Sequence, residues 1–533
     1  MVNPFLKMNW VLSVFLSCAA RLVLLIMVFS RTNFFTSFSI SLFKVIFEDF
    51  LFILDSKTYR FFILLLMIYL RILCFRKLYI SHYNNQNEFY WILFSFVIRI
   101  MFTVRSGRIL TFFIGWDGLG LRSFWLILWY RSAERSHYSG IHTFFTIRVG
   151  DVFIVLSICL WGAYRSTFFY SNWAYLLGVI FFVFCAFTKS AQFPFVSWLP
   201  LAIAAPTPIR ALVHSSTLVT AGIFILIRAG FYNGGFPLLM CYFFIWFGGI
   251  TRLIGALFSC IENDLKKAIA FSTLRHCGVM VFGLAICSID VVYFHLTSHA
   301  LLKSMLFIIA GWALVYRNSS QDLRRFGRNV TERFLLKRTW ILNAINMCGI
   351  PFIGIWYSKH SILNLGVFSS FICILIITLR ALSGVYIWRI TGNIIFNAYG
   401  PTVRLEIPKK QVQGILIFHL LIITYVLVDQ PFLGHFHIRI IDWFYLLTFI
   451  ITPVILINIG PLKSYWTVNF TPLVNSMFFK RVNLEITFHE RPLYISKRTF
   501  IKLREFSDMR RNLLNFLGRF LLTLIFTFAI IIV

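Results

Sequence analysis

Long apolar stretches recur along the whole sequence, separated by short polar or basic segments. Each stretch has about the 20 residues that an α-helix needs to cross the apolar interior of a bilayer. The apolar residues are continuous in each stretch and do not alternate with polar ones, which favours helices over the strands of a membrane β-barrel. The predicted spans lie near 8–29, 35–54, 60–80, 89–104, 109–130, 143–163, 174–203, 207–230, 235–260, 265–286, 289–315, 335–358, 361–392, 414–430, 441–460 and 512–533.

The pattern therefore predicts an all-α polytopic membrane protein with about 14–16 transmembrane helices. One region breaks the pattern, because residues 480–512 are basic and mixed before an almost purely apolar end at 513–533. Such a stretch is typical of an amphipathic helix that lies along the membrane surface and leads into a last span. A plain hydrophilic loop is the alternative for 480–512.

Composition excludes several classes of protein. Hydrophobic residues make up 59% of the chain and charged residues 13%, which does not fit a soluble enzyme or a disordered protein. The 50 Lys and Arg against 19 Asp and Glu give a net charge of +31, but the basic residues form short clusters between the apolar runs. Clusters at the ends of spans indicate loop charges of a membrane protein, not one nucleic-acid-binding face. The 10 Cys form no C-x-x-C, so no compact zinc or iron–sulfur motif is present.

Ionisable residues inside apolar runs are costly and usually functional in membrane proteins. Asp117 lies within one predicted span, and Lys189 lies at the end of another apolar run. A buried Lys loses affinity for its proton, and a nearby carboxylate restores it, so an Asp–Lys pair can act as a proton switch. A static ion pair that locks two helices is an equally open interpretation.

Prolines interrupt two of these runs next to a lysine. Lys189 precedes a group of four prolines, and Lys359 follows a Gly-Ile-Pro sequence that ends at Pro351. Broken helices at membrane depth occur where backbone is buried in protein or lines a wet cavity, as at transporter sites. The two interruptions are consistent with an internal repeat.

Histidines supply further candidates for proton transfer, since imidazole titrates near neutral pH. His214 lies in one apolar run, where a simple hydrogen bond to a neighbouring helix is the alternative role. His295, His299 and Lys303 follow a spacing of four, which places them on one face of a helix. Two His at this spacing also suit a metal, but no H-E-x-x-H motif or third ligand occurs, so a polar stripe for protons or water is favoured.

The sequence resembles the antiporter-like subunits of respiratory complex I over about half its length. The resemblance rests on motifs in a characteristic order. These are Gly115–Gly120 (GWDGLG), Arg148–Asp151 (RVGD), Lys189–Gln192 (KSAQ), Trp198–Pro200 (WLP), Pro206–Pro208 (PTP), His214–Thr217 (HSST), Glu262–Lys267 (ENDLKK), Ala270–Thr273 (AFST), His299–Lys303 (HALLK), Ser320–Asp322 (SQD) and Tyr357–Lys359 (YSK).

The resemblance implies two inverted five-helix repeats, each with a broken helix, and a C-terminal lateral helix followed by a last span. The implied divisions are N-terminal transmembrane helices at 1–88, a first repeat at 89–230, a second repeat at 235–392, additional transmembrane helices at 393–475, and the lateral helix with the final span at 476–533. It also implies roles in proton transfer. Asp117 and Lys189 would form a carboxylate–lysine pair, and Lys359 would be the terminal proton site. The central polar axis between them would consist of His214, His295, His299 and Lys303.

For function, the resemblance implies a non-redox subunit of an H⁺-translocating NADH:ubiquinone reductase in the mitochondrial inner membrane, with an organelle-encoded gene. Such a chain binds no cofactor or metal itself. NADH, flavin, iron–sulfur clusters and ubiquinone belong to partner subunits, and the other membrane-arm subunits and the lipid bilayer are its partners. A subunit of a multi-subunit cation/proton antiporter is the second hypothesis, and a structural membrane-arm subunit with static ion pairs is the third.

The sequence departs from the family pattern at several positions. Ala204 and Ala205 precede the Pro-Thr-Pro motif, where the family usually has an acid, so any role of that acid is absent or relocated. Arg210 and Arg275 stand where the family usually has serine, and Arg in a membrane span costs about 2.5–3.5 kcal/mol. Arg105, Arg108 and Arg122 also lie in or beside spans. We hypothesise that some of these residues are serine in the native protein, because many invertebrate mitochondria read the codons AGA and AGG as serine.

Overall fold

A computed structural model describes residues 35–40, 50–80, 86–107, 109–130, 134–166, 172–232, 235–315, 321–323, 334–349, 355–365, 382–387, 389–392 and 394. All of them belong to the first of two compact units, Met1–Ile459. The predicted spans at 8–29, 414–430, 441–460 and 512–533 lie outside the described residues, as do the predicted lateral helix and the whole of 393–475 except residue 394.

Helices dominate the described residues, as the apolar runs predict. The helices are α1 Ser56–Tyr79, α2 Gln86–Arg105, α3 Ile109–Ile127, α4 Glu134–Ser166, α5 Asn172–Lys189, α6 Trp198–Leu201, α7 Thr207–Ile209, α8 Leu218–Tyr232, α9 Leu238–Ile261, α10 Leu265–Ile286, α11 Ile289–Val315, α12 Phe334–Cys348 and α13 Trp356–Leu365. A 3₁₀ turn at Ala202–Ala204 follows α6, and a π-helical segment at Arg210–Thr217 joins α7 to α8.

The predicted span at 35–54 is wrong. Phe35–Ile40 and Phe50–Asp55 instead form an antiparallel pair, β1 and β2, in which Phe35 is opposite Asp55 and Ile40 is opposite Phe50. The β1 sequence alternates aromatic or β-branched residues with serines. Aromatic and β-branched residues favour strands, and serine hydroxyls compete for the backbone hydrogen bonds of a helix.

Among the described residues, seven helices are long and apolar enough to cross a membrane, judged by length and composition. They are Ser56–Arg76, Gln86–Arg105, Glu134–Trp161, Thr207–Gly230, Leu238–Ile261, Leu265–Ile286 and Ile289–Val315. The bounds of the last two agree with the spans predicted from the sequence. The chain is therefore an all-α polytopic membrane protein. Its division into repeats at 89–230 and 235–392 stays a prediction.

Burial separates central helices from peripheral ones. In α10 and α11 almost every residue is buried, whereas α2 and α9 each bury only one side. Trp91 on α2 and Trp246 on α9 are more than half exposed, at positions that suit contact with lipid. A helix that is buried on all sides lies at the centre of a bundle, so its polar residues are shielded from lipid and from bulk water.

Both predicted helix interruptions are present. Helix α5 ends at Lys189, and turns lead through Pro194 to the one-turn helix α6. Helix α12 ends at Cys348, where Gly349 adopts a φ of +80°, a left-handed conformation that favours glycine after a helix. Each interruption places a lysine, Lys189 or Lys359, beside backbone that no longer belongs to a continuous helix.

Candidate functional site

A row of buried polar side chains runs through the central helices. The sequence-predicted members of this row are 8% exposed or less. They are Lys189, His214, His295, His299, Lys303 and Lys359. Asp117, the seventh predicted residue, lies on α3 with about a third of its side chain exposed. The structure thus brings six of the seven predicted residues into the protein interior.

The expected direct pair between Asp117 and Lys189 is not formed in this structure. Asp117 accepts a hydrogen bond from Arg148 on α4, and the same guanidinium nitrogen lies 3.1 Å from Asp151. A guanidinium presents several donors in a fixed plane, so one Arg can bridge two carboxylates. Arg148 therefore takes the position of counter-ion that the sequence assigns to Lys189.

Lys189 instead lies against Trp116 on α3. Its Nζ donates to the Trp116 carbonyl at 2.5 Å and lies 3.7 Å from the centre of the indole ring. No carboxylate lies within ion-pair distance of Lys189 among the described residues. Asp151 and Asp117 nevertheless lie within electrostatic reach of its ammonium group. A short movement of either carboxylate away from Arg148 would change the proton affinity of Lys189.

The interrupted helix after Lys189 is held by polar contacts. Trp198 Nε1 donates to the Thr188 carbonyl at 2.8 Å, and Thr251 on α9 donates to Gln192 Oε1 at 2.7 Å. These contacts satisfy the Thr188 carbonyl and Gln192 Oε1 inside the protein, whereas Ser190 Oγ has no hydrogen-bond partner among the described residues. The break fixes the end of α5, and with it the position of the Lys189 ammonium group.

His214 lies in the π-helical segment, where an extra residue per turn alters the hydrogen-bond ladder. The imidazole is buried, packs beside the Trp198 ring at 5.8 Å, and neither ring nitrogen has a hydrogen-bond partner in the described part of the chain. A buried imidazole with two open nitrogens is costly unless water or a mobile proton donor reaches it. The alternative role, a hydrogen bond to a neighbouring helix, is therefore not seen among the described residues, and the role of His214 in proton transfer stays a prediction.

The face of α11 with His295, His299 and Lys303 is buried as predicted, and all three side chains are 0% exposed. Lys303 Nζ donates to Ser272 Oγ on α10, and His295 Nδ1 lies 2.7 Å from Ser358 Oγ on α13. The stripe therefore joins the helices on both sides of α11. Among the described residues, no group of three or more His, Cys, Asp or Glu has an arrangement that could hold a metal ion.

Lys359 is held at the carboxyl end of α12. Its Nζ donates to the Met347 carbonyl at 2.7 Å and to the Cys348 carbonyl at 3.4 Å. The last carbonyls of a helix have no intrahelical partner and carry partial negative charge, so they favour a cation there. The second broken helix thus provides a binding site for the Lys359 ammonium group.

Comparison with known proteins gives the family. Residues 106–383 match the family described as "NADH:quinone oxidoreductase/Mrp antiporter, TM", which is just over half of the chain. The chain belongs to this family. The matched region contains all seven predicted site residues and both broken helices.

Individual relatives agree with this assignment. NADH-ubiquinone oxidoreductase chain 5 of Locusta migratoria is 36% identical over 325 residues, which are 59% of this chain and 56% of the relative. The protein of the same name from Lumbricus terrestris is 35% identical over 365 residues, covering 66% of this chain and 63% of the relative. The chain thus spans less than two thirds of the length of these two curated relatives.

Two solved structures share the fold. The structure of the Mrp complex from Dietzia sp. DQ12-45-1b has a TM-score of 0.70 at 19% identity, and covers 95% of this chain and 57% of that chain. The structure of the archaeal membrane-bound sulfane sulfur reductase has a TM-score of 0.62 at 16% identity, over 74% of this chain and 84% of that chain. At these identities the likeness extends to the fold alone.

The structure adds site residues to which the sequence patterns gave no role. Arg148 and Asp151 join the carboxylate cluster, Ser272 and Ser358 contact the α11 stripe, and His276 on α10 packs against it. Arg148 and Asp151 could have been found from the sequence, because charged residues within an apolar run indicate a functional site. Ser272, Ser358 and His276 have no such signal in the sequence, because their role depends on which helix lies beside them.

Two buried arginines of this family member support the hypothesis of reassigned codons. Arg210 and Arg275 are each 2% exposed; Nε and Nη1 of Arg210 and Nη1 of Arg275 have no hydrogen-bond partner among the described residues. A buried guanidinium without a carboxylate partner is strongly unfavourable. Serine hydroxyls would fit a helix interior by bonding to the preceding turn.

We expect peptide mass spectrometry of the native protein to find serine at positions 210 and 275. Trypsin would then not cleave after either position. Each position would lie inside a longer peptide whose mass corresponds to serine, which is lighter than arginine, in that uncleaved stretch. Cleavage after Lys189 provides an internal control for digestion of buried segments. Arginine-containing peptides at both positions would refute the hypothesis.

Proposed function

We propose that the chain is a proton-translocating membrane-arm subunit of a respiratory NADH:ubiquinone oxidoreductase in the mitochondrial inner membrane. Relatives named chain 5 of this enzyme support the assignment to the complex. Electron transfer from NADH to quinone takes place on the flavin and iron–sulfur clusters of partner subunits. This chain then contributes the non-redox part of the reaction, the movement of protons across the membrane.

One observation carries the proposal: titratable groups are buried in the central helices without fixed counter-ions. Lys189 and Lys303 have no carboxylate within ion-pair distance among the described residues. Burial of an unpaired ammonium group is expensive, so a protein keeps such groups where they gain and lose protons. A purely structural subunit would instead pair these lysines or replace them with apolar residues.

The Asp117, Arg148 and Asp151 cluster provides the control element of the proposed mechanism. When a carboxylate leaves Arg148 and approaches Lys189, it stabilises the protonated form of Lys189. When it returns to Arg148, Lys189 releases its proton toward the next group. Moving one proton against 100 mV costs about 2.3 kcal/mol, which a pKa change of about 1.7 units in a buried lysine supplies.

Coupling between Arg148 and Lys189 can be tested with Arg148→Gln. This change frees both carboxylates from their guanidinium partner, so Asp117 or Asp151 pairs with Lys189 permanently and Lys189 retains its proton. We expect proton translocation by the purified complex in liposomes to fall by about ten-fold or more. Glu134→Gln, at the exposed start of α4 and outside this cluster, serves as the control. Unchanged pumping by the Arg148 variant would contradict the proposed switch.

The assignment to the oxidoreductase is distinguished from a cation/proton antiporter by purification from native membranes. We expect the chain to co-migrate with NADH:quinone reductase activity and to move protons only when NADH is oxidised. An antiporter subunit would instead exchange protons for sodium in liposomes without NADH. Sodium-driven proton movement in a preparation that lacks NADH oxidation would overturn the proposal.

A further inference from the structure

His276 lies on α10 in the middle of the protein and is 0% exposed. Its ring packs against two residues of the α11 stripe, with centroid distances of 5.4 Å to His295 and 5.0 Å to His299. The two α11 histidines are one helical turn apart, and His276 lies beside both from the neighbouring helix. Three imidazoles are therefore clustered where the sequence pattern predicts two.

Hydrogen bonds connect this cluster to the second broken helix. His276 Nδ1 lies 3.2 Å from His295 Nε2, and His295 Nδ1 lies 2.7 Å from Ser358 Oγ. The Ser358 hydroxyl donates to the Ile355 carbonyl at 3.0 Å. Ser358 immediately precedes Lys359 in the chain, so the connection ends beside the predicted terminal proton site.

The hydrogen bond that Ser358 donates fixes the donor and acceptor at each step of this hydrogen-bond chain when both imidazoles are neutral. Because the serine hydroxyl proton is directed at Ile355, Ser358 Oγ accepts from His295 Nδ1, which must carry a proton. His295 Nε2 is then an acceptor, so His276 Nδ1 is the donor to it. His276 Nε2 is left without a proton and lies 3.1 Å from Nη2 of Arg275. With serine at position 275, as the codon hypothesis expects, this nitrogen is open to receive a proton.

We propose that His276 is a proton-transfer residue that links the Lys303 and His299 end of the buried row to Ser358 and Lys359. The proposal rests on the proposed function and adds to it a residue on a helix other than α11. The connection passes through His295, so α10, α11 and α13 all contribute to it.

The proton balance of one transfer is complete. A proton from water on the His299 side binds His276 Nε2, and the proton on Nδ1 passes to His295 Nε2. The proton on His295 Nδ1 passes to Ser358 Oγ while the original hydroxyl proton leaves to water beside Lys359. One proton enters and one leaves, and both imidazoles end neutral with the opposite nitrogen protonated.

The charges around His276 are all cationic among the described residues. They are Arg275 on α10, Lys303 on α11 and Lys359 on α13. No carboxylate is among the groups that act on it, so a static ion pair does not explain a histidine at this position. Its hydrogen bond to His295 does not involve residue 275, so serine at that position leaves this bond in place and removes only the Arg275 contact to His276 Nε2.

The test uses the assembled complex in liposomes with NADH and quinone. His276→Gln retains hydrogen-bonding capacity but cannot carry a proton, and we expect proton translocation to slow by about ten-fold or more. His142→Gln is the matched control, because His142 is a partly buried histidine on α4 outside the row. This control should pump at the rate of the unmodified complex.

Ser358→Ala provides the second variant if His276→Gln does not assemble. It removes the oxygen that His295 Nδ1 contacts, and we expect a comparable loss of proton translocation. Normal pumping by an assembled His276→Gln complex, or by Ser358→Ala, would overturn the inference. Lys303→Met in the same assay separates the two proposals. If it stops pumping while His276→Gln does not, only the role of His276 fails.

Discussion

Lys303→Met is expected to abolish most proton translocation while the protein still folds and assembles. Lys303 is completely buried, donates to Ser272 Oγ, and has no carboxylate partner among the described residues. Methionine has a similar volume and no charge, so the substitution removes a desolvation cost and leaves packing intact. Loss of one acid–base group slows proton transfer by about 100-fold or more. The measurement is proton uptake per NADH oxidised in liposomes that contain the complex.

Two control variants separate proton transfer from a static role of Lys303. Lys303→Arg keeps the positive charge but cannot release a proton at physiological pH, so we expect it to be nearly as inactive as the methionine variant. Lys57→Met, at the start of α1, removes a 2.7 Å ion pair with Asp290. This partly exposed pair is worth about 1 kcal/mol or less, so the variant should pump normally. Normal pumping by Lys303→Arg would contradict proton transfer by Lys303 and would favour a static positive charge at this position.

Gly248→Ala is expected to prevent assembly of the central helices. Helices α9 and α10 pack closely, and a Cβ atom at Gly248 would lie 2.7 Å from the backbone nitrogen of Phe282. Backbone cannot rotate away as a side chain can, so the two helices must separate. Overpacking costs about 1–3 kcal/mol and sometimes more, and small residues at helix contacts are what permit close approach in membranes. The measurement is the amount of assembled complex in native gels.

The chain offers a matched control for this substitution. Gly249 is the next residue on α9, and a Cβ atom there would meet nothing within 4 Å. Gly249→Ala changes helix propensity in the same direction by about 1 kcal/mol, so it isolates the steric effect. We expect Gly249→Ala to assemble at the normal level. Equal assembly of both alanine variants would contradict the close packing of α9 and α10.

Local patterns in the sequence were sufficient for most of the central helices. The spans 265–286 and 289–315 appear at their predicted bounds as α10 and α11, because continuous apolarity and helical spacing act within one segment. The shared face of His295, His299 and Lys303 follows from the same periodicity. The strand pair Phe35–Ile40 and Phe50–Asp55 was missed, since the apolar residues of both strands were read as part of one membrane span.

Contacts between helices could not be predicted from spacing alone. Asp117 binds Arg148, which is 31 residues away in the sequence, and His276 meets His295 across 19 residues. Which residues meet depends on how α3 packs on α4 and how α10 packs on α11. The π-helical segment around His214 likewise depends on the interrupted helix beside it. These tertiary features decide the partners of each titratable group.

The central claim is that water and titratable side chains form one connected path inside the bundle. A high-resolution cryo-electron microscopy map of the assembled complex in a lipid bilayer tests it most directly. We predict ordered water between Lys189 and His214, and between His214 and the cluster of His299 and Lys303. Dry apolar side chains filling those two gaps, with the lysines turned toward lipid or bulk solvent, would contradict the account.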